Sequence, residues 1–64
     1  MKVIELIKTW NTVRGVVNIV DRYDIEDSLF YGDLNKAKKS SYGNMEVIAW
    51  NSEDDDERYL EIIV

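Results

Sequence analysis

MEVIAWNSEDDDERYLEIIV, residues 45–64, reads as two apolar runs separated by five consecutive acids, Glu53-Asp54-Asp55-Asp56-Glu57. Alternation within the runs predicts a β-hairpin, because successive side chains of a strand point to opposite faces. Setting Trp50 opposite Tyr59 places Ala49 against Leu60, Val47 against Ile62 and Met45 against Val64. One face is then wholly apolar, and the other carries Glu46, Ile48, Trp50, Tyr59, Glu61 and Ile63. A one-residue slip would turn Glu46 or Glu61 into the core, so the pattern favours this register, with a tight turn on Asp54-Asp55.

Working outward, Val3, Leu6, Ile7 and Trp10 recur at helical spacing and predict a short helix over residues 2–10. From Gly15 to Arg22 the β-branched Val16, Val17, Ile19 and Val20 occupy both faces, which suits an interior strand. Tyr23-Asp24-Ile25-Glu26-Asp27 is polar and reads as a turn. Ser28-Leu29-Phe30-Tyr31 reads as the return strand of a hairpin, stopped by Gly32. Asp33 is a good N-cap for a one- or two-turn helix over Leu34–Lys39, whose lysines suit the negative end of the helix dipole. Ser40–Asn44 is a loop with a turn signal at Gly43-Asn44. The expected architecture is a single α+β domain over residues 1–64, in the order α-β-β-α-β-β. It is a mainly antiparallel sheet with one N-terminal helix packed on it.

Composition narrows the function. At 64 residues, with neither Cys nor His, the chain lacks disulfide and zinc staples, so aliphatic and aromatic packing or a subunit partner must hold it together. Thirteen acids against eight bases give a net charge of −5, which disfavours nucleic acid and anionic membranes as direct partners. Glu5 and Lys8 interrupt the first apolar run, and no stretch is long enough to span a bilayer, so a cytoplasmic location is expected.

Chemistry-bearing patterns are few. The acidic run has carboxylates but neither the Gly nor the ligand spacing of a calcium loop, and Asp21, Asp24, Glu26 and Asp27 fail the same test, so no metal is assigned. Ser28, Ser40, Ser41 and Ser52 have no nucleophile context, and the three separated glycines make no phosphate loop. No catalytic residue and no cofactor is assigned, and the chain is not read as an enzyme. Residues 21–27 and 53–57 could together imitate a phosphate backbone, although mimicry needs many acids spread over a surface.

The partner-binding candidates are Glu53, Asp54, Asp55, Asp56 and Glu57, together with Ile48, Trp50 and Tyr59 on the mixed hairpin face. An aromatic centre with a polar rim is common interface anatomy. The acidic loop would steer a basic partner and the aromatic residues would anchor it.

The opening Met1-Lys2-Val3-Ile4-Glu5-Leu6-Ile7 helix, the Val/Ile strand running into Asp21, Leu29-Phe30-Tyr31-Gly32-Asp33-Leu34 and the two closing strands resemble short accessory proteins of phages and prophages of Gram-positive bacteria. That resemblance implies a mobile-element protein that binds and blocks a host or defence protein, and inhibitors of CRISPR nucleases are one similar class. The rival expectation is a homodimeric structural component joined through the hairpin face or a strand edge. Its signature would be a melting temperature that rises with concentration.

Overall fold

The computed structural model describes residues 1–10, 15–54 and 58–64, with Asp54 and Arg58 described through their backbones only. The elements follow the order α1 (Val3–Thr9), β1 (Val16–Asp21), β2 (Asp24–Asp33), α2 (Leu34–Lys39), a 3-10 turn (Ser41–Asn44), β3 (Ala49–Asp54) and β4 (Arg58–Ile63). They form the α+β domain that the periodicities imply.

The strands form one sheet in the order β2-β1-β4-β3. Two antiparallel hairpins, β1–β2 and β3–β4, lie side by side, and β1 meets β4 in parallel at the centre. The sheet is therefore mixed, and the seam between hairpins is its most apolar line. Val17 pairs with Leu60 and Ile19 with Ile62, and all four side chains are fully buried. Backbone bonds continue the seam to the last residue: Val64 N–H donates to Val20 O at 2.9 Å and Arg22 N–H donates to Val64 O at 2.9 Å.

Both helices cover the same face of the sheet. Val3, Leu6 and Ile7 of α1 and Leu34 and Ala37 of α2 join Val17, Ile19, Leu60, Ile62 and Val64 in one core. The second helix thus shares the packing expected of the first alone. Two turns are enough for α2 because its start is well tied: Asp33 Oδ1 accepts from Lys36 N–H at 2.8 Å, and Leu34 N–H donates to Gly15 O at 3.2 Å.

Two local readings are corrected. The expected turn over Tyr23–Asp27 is confined to Arg22-Tyr23, where Asp21 Oδ1 accepts from Tyr23 N–H at 2.9 Å. The strand then runs for ten residues, with register breaks between Ile19 and Val20 and between Val20 and Asp21. Such bulges let the polar Asp24–Asp27 segment stay in an edge strand without burying a face.

The second correction concerns the β3–β4 register. Trp50 pairs with Ile62 instead of Tyr59, Ala49 with Ile63 instead of Leu60, and Glu53 with Tyr59. Met45 and Val47 do not pair with β4 at all. They bond to the N-terminal segment, through Val3 N–H to Met45 O at 3.0 Å and Val47 N–H to Met1 O at 2.8 Å. Alternation within the hairpin could not anticipate this, because the competitor for residues 45–47 is remote in sequence. The odd offset exchanges the faces of β3, so Ala49 is exposed on the side away from the helices. Ala49→Lys should therefore change the unfolding free energy by no more than about 0.5 kcal/mol. A loss of several kcal/mol in urea denaturation would restore the Ala49–Leu60 pairing.

Candidate functional site: the sheet face without helices

Since Val17, Ile19, Leu60 and Ile62 point to the helices, strand alternation sends Val16, Asn18 and Val20 of β1 and Tyr59, Glu61 and Ile63 of β4 to the other face. The register extends this face into ordered rows. Tyr31, Asn18, Glu61 and Asn51 line one row across the four strands, and Val16, Tyr59 and Glu53 line another. Ser28, Val20, Ile63 and Ala49 make the third. Val20, buried yet outside the helix-side core, sits on this face between Ser28 and Ile63.

A polar chain ties three strands together here. Ser28 Oγ donates to Asn18 Oδ1 at 2.6 Å, and Asn18 Nδ2 donates to the Tyr59 hydroxyl at 2.9 Å. The amide has one acceptor and one donor engaged, which fixes its orientation and holds the Tyr59 ring across the seam. Tyr31, the aromatic residue beside Asn18, is 66% exposed and forms the most accessible aromatic surface of the face.

Charge divides between the two layers. The face positions named above include two carboxylates, Glu53 and Glu61, and no base. All five lysines belong to the helical layer: Lys2 caps α1, Lys8 lies in it, and Lys36, Lys38 and Lys39 lie in α2. Two of the three arginines lie at hairpin ends, Arg22 in the β1–β2 turn and Arg58 at the start of β4; Arg14 lies outside the described residues. The sheet face therefore carries carboxylates without a lysine, opposite a helical layer that carries all five lysines together with Glu5 of α1 and the Asp33 cap of α2.

The sequence candidates are partly separated by the fold. Glu53 is exposed on the sheet face opposite Tyr59, which is half-buried. Trp50, paired with Ile62, lies on the helix-bearing side at the sheet edge and is 51% exposed. Ile48 precedes β3, is 50% exposed and donates its N–H to Ile63 O at 2.8 Å. Trp50 and Tyr59 thus do not share a face, and the expected Ile48–Trp50–Tyr59 patch is not a single surface. The hairpin's last described pair is Asp54 with Arg58, while Asp55, Asp56 and Glu57, and with them part of the expected tight turn, lie outside the described residues.

The parallel seam also separates the described parts of the two acidic segments. β1 runs into residues 21–27 beside the C-terminus, whereas Glu53 and Asp54 pair with Tyr59 and Arg58 at the opposite end of β4. Among the described residues the acids thus form no continuous phosphate-like track. Sequence reasoning passed over Asn18, Tyr31 and Asn51 as surface candidates, although the lone amide inside the Val16–Val20 run already signalled that one side of that strand is not core.

Among the described residues, no three His, Cys, Asp or Glu side chains converge as a metal site. No described helix is long and apolar enough to cross a membrane. Comparison with family models, with curated proteins and with solved structures finds no match to this chain.

Proposed function

We propose that the chain is a non-catalytic protein-binding module whose activity is docking. In this reading it is a phage or mobile-element protein acting in the host cytoplasm. There it blocks a host or defence protein of the CRISPR type by occupying a basic, nucleic-acid-binding surface. The observation that carries the reading is the division of charge: carboxylates on the helix-free sheet face, lysines on the layer behind it. Such a distribution orients a protein of net charge −5 as it approaches a positive surface, and steering of this kind raises association rates more than it lowers dissociation. Tyr31 and Tyr59 would supply contact area once the face has docked, in a setting where aromatic side chains commonly carry interface energy.

An affinity capture with tagged protein at low and high salt, read by mass spectrometry, tests the proposal. One stoichiometric basic partner retained at low salt and lost at high salt is the expected result. Asp54→Asn, Asp55→Asn and Asp56→Asn combined should weaken that binding and flatten its salt dependence. Unchanged affinity at low salt would remove the hairpin acids from the steering role.

A further inference from the structure

The two edges of the sheet are not equivalent. β2, at one edge, has two register breaks, irregularities that discourage another strand from pairing with it. β3, at the other edge, pairs with β4 through six consecutive residues without a break. It contains neither Lys nor Pro, and Ala49, Trp50, Asn51, Ser52 and Glu53 are all exposed. The N-terminal segment bonds to Met45 and Val47 just upstream, and among the described residues no strand lies outside β3. Its outer row of backbone donors and acceptors is thus an available pairing template.

We infer that β3 is a strand-addition site for an extended, basic segment of a partner protein. This rests on the docking proposal above and specifies how the partner is gripped. The strand's alternation dictates the ligand. Residues of an added strand that face Ala49, Asn51 and Glu53 lie on the carboxylate-bearing side, beside Glu61 of the next strand, and favour Lys or Arg. Those that face Trp50 and Ser52 lie on the helix side, where the exposed Trp50 ring offers an apolar neighbour. A segment alternating basic and apolar residues satisfies both, with main-chain bonds supplying affinity and alternate side chains supplying selectivity.

A second copy fits less well. Antiparallel self-pairing centred on Asn51 sets Glu53 of each chain against Ala49 of the other, and centring on Ser52 sets Asp54 against Trp50. No base of β3 is available to offset two chains of −5 each.

The test uses the whole protein, isotope-labelled for NMR, and a blocked peptide of alternating Lys and Val matching the six residues of β3. Expected are chemical-shift changes concentrated on Ala49–Asp54, and new protection of β3 amides from solvent exchange. The same peptide N-methylated throughout keeps its charge but loses its backbone donors, and should bind about tenfold more weakly or worse. Equal binding by the methylated peptide, or shifts centred on Asn18, Tyr31 and Glu61, would overturn strand addition while leaving the acidic docking face intact. Protection of β3 without peptide, together with a dimeric mass, would overturn it in favour of a second copy. Absence of binding by either peptide at low salt would overturn the site, and the affinity capture decides the docking reading independently.

Discussion

Ile62→Ala should remove a large part of the folding free energy, whereas Ile63→Ala, one position along the same strand, should cost about 1 kcal/mol. Ile62 is fully buried, pairs with Ile19 across the parallel seam and with Trp50 across the hairpin, and belongs to the core under both helices. Truncating such a residue typically costs about 2–5 kcal/mol, through lost transfer free energy and the cavity left behind. A chain of this length has roughly 3–10 kcal/mol in total. Ile63 is half-buried on the helix-free face, where a shortened side chain leaves a dent open to water instead of a closed cavity. Urea denaturation of the two variants checks the assignment, because comparable losses would mean that the sheet is covered on both faces.

The second large effect is electrostatic. Glu53→Lys with Glu61→Lys places two positive charges on the sheet face and makes it resemble the layer behind it. Association with the captured partner at low salt should slow by about tenfold or more, and the difference should shrink as salt rises. Lys36→Glu with Lys39→Glu alters the same number of charges on α2, the far side, and should leave the rate equal or faster. Equal slowing by both pairs would show that the partner does not distinguish the layers. Stopped-flow or surface-binding kinetics on variants of native circular dichroism gives the comparison.

Several elements were legible because their causes are local. The spacing of Val3, Leu6 and Ile7 specifies α1, and Asp33 followed by Leu34–Lys39 specifies α2 through its cap and last-turn lysines. The β-branched run over Val16–Val20 and the alternation of Tyr59–Val64 specify β1 and β4, and Leu60, Ile62 and Val64 are buried as their alternation requires. Of the candidate site, the exposure of Glu53 also followed from residue type, whereas Trp50 is exposed because it lies at the sheet edge, on the face opposite to the one the expected register gave it.

What depended on remote partners was not legible. Met45 and Val47 look like strand residues awaiting β4, but their backbone groups bond to residues of the N-terminal segment, and this displaces the hairpin register and separates Trp50 from Tyr59. The polar start of β2 resembles a turn because an exposed, bulged edge strand needs no apolar alternation. The sequence by itself determined the α+β class, the succession of helices and strands apart from the 3-10 turn at Ser41–Asn44, most core residues and the net charge of −5. Only the tertiary structure decided which face stays uncovered, which edge stays free and how the charges divide between layers. Those outcomes depend on the parallel pairing of β1 with β4, a long-range contact between strands more than forty residues apart in register, such as Val17 and Leu60 (60 − 17 = 43). Strand alternation fixes which residues share a side, but not which of the two sides the helices will cover.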